Sequence, residues 1–162
     1  MITEKEYKEA VKEYSKNIFR FLFKSLRDEE ASNDIIQDCF LKLWQNRDKV
    51  DNLKVKAWLF SVAHHAMINY IKKNARTLPL ENVEISTQVF QQHDFDIRIL
   101  IDKVLNQLPS IQKSILLLRD LEGYGYKEIS TILGIHETQV KVYLFRARLA
   151  VKNALKSIMN VL

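Results

Sequence analysis

A chain of 162 residues with 28% charged and 47% hydrophobic residues, three glycines and two prolines suits one or two small helical domains. Its longest apolar run, AWLFSVA at 57–63, falls well short of the roughly 20 residues a membrane span needs, and the opening MITEKEYKEA is too acidic and polar for a secretory signal. One cysteine, Cys39, excludes an internal disulfide and fits a reducing compartment, so the chain is expected in the cytoplasm with no direct membrane insertion.

Apolar residues recur at helical spacing from Lys5 to Leu26, through Ala10, Ile18, Phe19 and Leu22, and RDEEASND at 27–34 breaks the pattern with capping residues. A second helix is predicted over about 31–45, with Ile36, Cys39, Phe40 and Leu43 facing inward. The loop NRDKVDNLKV follows at 46–55. A third helix, about 56–75, carries AWLFSVAHHAMINYIKKNA, with Trp58, Leu59, Val62, Ala66 and Tyr70 as core positions. The stretch 77–95 loses that period: Val83, Ile85, Thr87 and Val89 alternate with polar residues. A connector of about 20 residues favours two domains rather than one. Helical patterns return from Ile97 to Gln107 and from Ile111 to Leu118, split at Leu108-Pro109.

All three glycines, Gly123, Gly125 and Gly134, fall in DLEGYGYKEISTILGIHETQVKVYLFRAR, 120–148. Gly123 and Gly125 are expected to end one helix in left-handed backbone geometry. YKEISTIL then forms a short helix with Ile129, Ile132 and Leu133 inward, Gly134 turns the corner, and a last helix starts near Glu137 with Val140, Leu144 and Ala147 inward. Two helices meeting at such a glycine corner make a helix-turn-helix, whose second helix can enter the DNA major groove. Its outward face would carry Gln139, Lys141, Val142, Phe145 and Arg146, with Arg148 on the flank. The alternative is an ordinary helical hairpin with a solvated basic face.

Charge follows the same division. Residues 1–76 hold 15 Lys and Arg against 11 Asp and Glu; 77–97 hold none against four; 98–162 hold ten against five. Two basic lobes joined by an acidic strap suit a polyanion gripped at two places.

LPSIQKSILLLRDLEGYGYKEISTILGIHETQVKVYLFRAR resembles the promoter-binding C-terminal domain of bacterial extracytoplasmic-function (ECF) sigma factors. DIIQDCFLKLW at 34–44 is similar to that family's DIVQEVFLKLW motif, and KAWLFSVAHHAMINYIKK at 56–73 to its AWLYRIARNLAIDYLRK motif. The likeness runs through both domains in order. It implies an all-α fold of two small helical domains joined by an irregular linker: 1–76 for core polymerase and the −10 element, 77–96 as linker, and 97–162 as the helix-turn-helix for the −35 element.

On a helix Asp34, Gln37, Asp38, Leu41 and Gln45 share one polar face with a leucine in its middle, which reads as a partner surface or as plain solvation. The resemblance implies that Asp34, Gln37, Asp38 and Leu41 dock on the clamp of the polymerase's largest subunit, and that the flap of the second subunit is a further partner. It implies −10 contacts from Arg47, Lys49 and Asn52 in the loop and from Lys56, His64, His65, Asn69, Lys72, Lys73 and Arg76 on the third helix. Unstacking bases costs a few kcal/mol each, which a basic groove and stacking platforms can offset. Trp58 is either such a platform or core. For the −35 element the resemblance implies Thr138, Gln139, Lys141, Val142, Phe145, Arg146 and Arg148. The acidic strap would thread the polymerase's active-site cleft, and an anti-sigma factor would hold the chain inactive until a signal arrives.

This chain departs from the family's pattern at several of these positions. His64-His65 replaces Arg-Asn, which suggests binding that varies with pH near neutrality; Asn69 stands for Asp. His136 replaces a serine N-cap, Gln139 a threonine, Val142 a serine and Tyr143 an arginine, so the promoter sequence is not carried over.

An enzyme is not expected. His64 and His65 are adjacent and diverge on a helix, Cys39 lies on an apolar face, and there is no HExxH, CxxC, phosphate-binding Gly loop or GxSxG. No cofactor, metal or small-molecule substrate is implied. A stand-alone dimeric helix-turn-helix regulator would share the C-terminal motif but has no use for DIIQDCFLKLW followed by KAWLFSVAHH.

Overall fold

The computed structural model describes residues 1–77 and 97–161, the side chains of 76, 77, 97, 158, 159 and 161 excepted. Among the described residues there are seven α-helices and no strand: α1 (Glu4–Leu26), α2 (Glu29–Gln45), α3 (Val55–Thr77), α4 (Ile97–Gln107), α5 (Ser110–Leu116), α6 (Tyr126–Leu133) and α7 (Glu137–Val161). The expected extended alternation at 83–89 and the acidic strap lie outside the described residues.

The first lobe is α1–α3. Thr3 and Glu6 form a reciprocal capping box that starts α1, satisfying two of the N–H groups a helix start leaves open. Asp28 caps α2, accepting the Ala31 N–H at 2.9 Å and the Tyr70 O–H at 2.8 Å, so one carboxylate ties the start of α2 to α3. Ile18, Phe21 and Leu22 of α1 pack against Ile35, Cys39, Phe40 and Leu43 of α2 and Leu59, Phe60, Ala63 and Met67 of α3. Ile35 rather than Ile36 is the fully inward residue, Ile36 being half-buried. On α3 the expected core face is corrected: Leu59 is buried with Phe60, Ala63 and Met67, whereas Trp58, Val62, Ala66 and Tyr70 are only half-buried because the helix turns its Phe60 side to both lobes. Burial pushes the Cys39 thiol up to about 12, which leaves it inert as a nucleophile.

The second lobe is α4–α7. Leu108-Pro109 breaks α4 from α5 as expected, since proline cannot continue the hydrogen-bond ladder. After α5 the backbone widens to a π turn, Leu117–Leu121, in which the Glu122 N–H reaches the Leu117 carbonyl at 3.0 Å. Gly123 (φ 77°) then reverses the chain and Gly134 (φ 68°) turns the α6–α7 corner, both in the left-handed region glycine favours. Gly125 corrects the sequence reading: it is extended (φ −73°) and serves as the N-cap of α6, its N–H donating to Glu128 at 3.2 Å.

The two lobes pack on one another. Arg20 donates from Nε and Nη2 to Glu122 at 3.1 and 3.0 Å, and the Glu122 side chain is only 2% exposed. Asp102 on α4 receives Lys24 at 3.1 Å and also pairs with Arg27. Burial pushes the Asp102 carboxyl upward, but the hydrogen bonds and charges of Arg27 and Lys24 outweigh it and hold the group below the usual carboxylate range. Arg27 is the one non-glycine residue at positive φ (56°) among those described, and its pairing across the seam holds that left-handed turn. Lys113 lies beneath, donating to the Ser25 carbonyl at 3.1 Å and to Asn106 at 2.8 Å; burial pulls its ammonium down to about 8. Phe60 of α3 meets Tyr124 edge-on at 5.2 Å, and the buried apolar residues of both lobes form one continuous cluster.

Candidate nucleic-acid interface

Helix α7 leaves its corner with Val140, Leu144 and Ala147 buried, as periodicity requires, so its opposite side faces out. Thr138, Gln139, Lys141, Val142, Phe145 and Arg146 are all exposed. The start of α7 modifies the expected roles. With His136 in place of a capping hydroxyl, the Gln139 side chain turns back and its Oε1 accepts the His136 N–H at 3.0 Å. That is half of a capping box, and it removes the amide oxygen that bidentate adenine reading needs. Arg148 is likewise engaged, forming a fork on Asp120 at 3.1 and 2.6 Å, so its guanidinium is held against the π turn and away from the outward face. Lys141 keeps its ammonium 5.7 Å from the Tyr126 ring.

On α3 the expected surface divides in two. His65, Asn69 and Lys72 are exposed at i, i+4 and i+7, with Lys73 exposed beside them and Trp58 half-buried two turns before His65 on the same stripe. The His65 Nδ1 bonds the Ser61 carbonyl at 2.7 Å, which directs Nε2 to solvent. The Arg76 side chain lies outside the described residues. Lys56 and His64 belong to the other face. They fall eight residues apart with Phe60 between, and that face turns toward the second lobe: Lys56 sits 4.5 Å over the Tyr124 ring. His64 is only 6% exposed, neither ring nitrogen has a hydrogen-bond partner, and burial together with the neighbouring His65 pulls its pKa down to about 4. The expectation of a histidine pair on the DNA face is therefore corrected for His64, which stays neutral near pH 7.

The loop before α3 holds Arg47 half-buried, 4.3 Å over the Trp44 ring and bonded to the Trp44 carbonyl at 3.0 Å. Lys49 and Asn52 are exposed, and Asn52 donates to Glu6 at 3.0 Å. Beside them Leu53, in a single 3-10 turn (Asn52–Lys54), stands 92% exposed, an apolar side chain that periodicity passes over because one turn shows no period. On α2, Asp34, Gln37, Asp38 and Leu41 are all exposed along one face, and Leu41, 53% exposed, lies in its middle.

Comparison with known proteins fits this geometry. A family model described as sigma-70 region 2 matches residues 10–77, and one described as sigma-70 region 4 matches residues 98–151. The ECF RNA polymerase sigma factor SigM of Bacillus subtilis (strain 168) is 30% identical over 145 residues, covering 86% of this chain and 88% of its own. The chain belongs to the ECF family of RNA polymerase sigma factors.

The ECF sigma-E factor of Escherichia coli (strain K12) is 24% identical over 143 residues, spanning 78% of this sigma factor and 75% of its own length. Two solved structures share the fold. The sigma factor RpoE in complex with the anti-sigma factor NepR from Bartonella quintana has a TM-score of 0.76 at 23% identity, over 94% of this chain and 98% of that one. CnrH in complex with the cytosolic domain of CnrY has a TM-score of 0.73 at 19% identity, over 96% and 90%. This sigma factor also carries a groove that the sequence did not reveal. About 610 Å³ in volume, it is floored by Ile101, Leu105, Leu117 and Leu121 and edged by Lys24, Lys152 and Lys156. Its walls come from α1, α4, the π turn and α7, which no single stretch of sequence brings together. Among the described residues no helix is long and apolar enough to cross a membrane, and no group of His, Cys, Asp or Glu is placed to hold a metal.

Proposed function

We propose that the first lobe holds core polymerase and opens the −10 element, that the second lobe reads the −35 element as duplex, and that the chain does this in the cytoplasm without catalysing a reaction of its own. The outward side of α7 carries this reading: a helix set beyond a glycine corner, exposing Lys141, Val142, Phe145 and Arg146, in a chain that also presents the Asp34/Gln37/Asp38/Leu41 face. That α2 face suits the clamp, with Leu41 as the apolar anchor and the carboxylates at its rim. The basic-edged groove suits an apolar helix such as a polymerase flap would present. Lys49, His65, Asn69, Lys72 and Lys73 form the cationic and polar path for a single strand, with Trp58 and Leu53 available to unstacked bases.

The packed lobes cannot serve both elements at once. Elements named for positions about 25 base pairs apart are separated by about 85 Å of duplex. A compact chain of this length has a radius of gyration of about 15 Å. The lobes must therefore separate along the Arg20–Glu122 and Asp102 seam, which would free the already exposed Lys56 from the Tyr124 ring and uncover His64. A bound anti-sigma factor, as in the RpoE and CnrH structures, would hold the chain closed.

The test is reconstitution. With core polymerase the chain is expected to start transcription at a restricted promoter set, and Asp38→Arg is expected to weaken core binding about tenfold or more without changing thermal stability. Unchanged binding by that variant, measured by fluorescence anisotropy, removes α2 from the docking surface.

A further inference from the structure

On α7 the residue positions that stand furthest from the core are Val142, Phe145 and Leu149, at i, i+3 and i+7. They are 46%, 67% and 44% exposed. Lys141 and Lys152 run along one side of this apolar ridge and Arg146 along the other. The polar groups expected to read bases are partly occupied elsewhere: the Gln139 oxygen caps its own helix and Arg148 is forked on Asp120.

A helix entering the major groove with an apolar crest meets only one apolar feature on the base edges. That feature is the C5 methyl of thymine; cytosine offers only a C5–H at the same place, and the groups that otherwise distinguish the pairs are hydrogen-bond donors and acceptors. A valine at the second exposed turn would strand those polar groups against hydrocarbon unless a methyl lies opposite. Lys141 and Arg146 on its two sides supply the phosphate attraction that holds such a ridge on DNA.

We propose that Val142, supported by Phe145, reads a thymine methyl in the −35 element, so that this sigma factor selects an A·T pair there by van der Waals contact. The inference rests on α7 being the −35 reader. Specificity at that position is set by shape and methyl burial, and Arg146 contributes polar reading at a neighbouring pair.

The experiment uses the full chain bound to core polymerase. Promoter duplexes are selected from a pool randomised across the −35 region, and each thymine in the winning sequence is replaced in turn by deoxyuridine, which removes the methyl and nothing else. One replacement is expected to weaken binding about fourfold, the effect of losing one buried methyl-sized group. Val142→Ala is expected to bring that thymine-to-uracil ratio close to one while leaving binding to core polymerase unchanged. Val142 is exposed enough for the substitution to leave the fold intact, and Val142→Thr, which keeps a methyl, should retain part of the ratio. If a −35 sequence is selected but no deoxyuridine costs affinity, or if the ratio persists in both Val142→Ala and Phe145→Ala, the methyl reading is wrong while α7 remains the reader. Loss of core binding in Val142→Ala would mean that the ridge is a protein-docking surface and overturns it. If no −35 preference emerges at all, the proposed function fails and takes this inference with it.

Discussion

Helices α3 and α7 are both basic helices assigned to promoter DNA, yet the folded chain treats them differently. The outward face of α7 is open along Val142, Phe145 and Arg146, whereas the Lys56–Phe60–His64 face of α3 is turned to the second lobe and capped by Tyr124. The helix proposed to read duplex is exposed as it stands. Part of the strand-handling helix is covered by its neighbour. On the function proposed above, affinity for closed duplex and the hold on an opened strand would be controlled separately, the second by the seam between lobes.

The strongest way to break the comparison is at Phe60, which packs edge-on against Phe21 at 5.8 Å and against Tyr124 at 5.2 Å. Phe60→Ala should cost about 3–5 kcal/mol through the cavity it leaves, read as a lower urea midpoint. An unchanged midpoint would mean that the seam is not part of the cooperative core.

His64 sharpens the contrast through pH. Burial lowers its pKa from 6.5 to about 4, so in that interval the unfolded chain binds a proton that the folded chain refuses. Stability from this group is therefore complete above 6.5 and is lost as pH falls toward 4, by up to about 3 kcal/mol. His64→Leu should flatten the dependence between pH 6.5 and 4.5 in thermal melts. A dependence of equal size in the variant would assign it to other groups.

Asp102 tests the seam without touching the core. Asp102→Asn leaves Lys24 and Arg27 without a carboxylate partner, weakening closure by about 1 kcal/mol, since the group keeps some solvent contact. Small-angle scattering should show a larger radius, and core polymerase should bind faster. A scattering curve identical to the parent's would show that these pairs do not hold the lobes. The smallest effect is expected at Arg148: with its guanidinium on Asp120, Arg148→Ala should leave the salt slope of −35 binding unchanged. Lys141→Ala, which removes a flanking cation, should lower that slope by about one, whereas Arg146→Ala should relax specificity at one base pair.

Much of this was legible from local chemistry. Asp28, Pro109 and Gly134 place helix ends because capping and backbone preference act within a few residues, and the α6–α7 corner follows from Gly134 with Ile132 and Val140 on either side. The α2 face was readable because period alone separates Asp34, Gln37 and Leu41 from Cys39 and Leu43. The bond that occupies Arg148 leaves no such mark, and the local one at Gln139 is passed over because His136 brings no capping hydroxyl. Their partners, His136 and Asp120, are polar residues that a sequence presents as no more than neighbours or strangers.

Residue order alone was enough for the seven helices, the inward faces of α6 and α7 and the helix-turn-helix, since each depends on contacts made within one or two turns, but not for the inward face of α3. Only the tertiary structure decided that Lys56 and His64 leave the strand-facing stripe, that Lys113 and Asp102 sit at a seam, and that α1, α4 and α7 enclose one groove. These depend on which lobe face meets which. That choice sums many weak contacts between residues far apart in the chain, and such a sum leaves no periodic trace in the sequence.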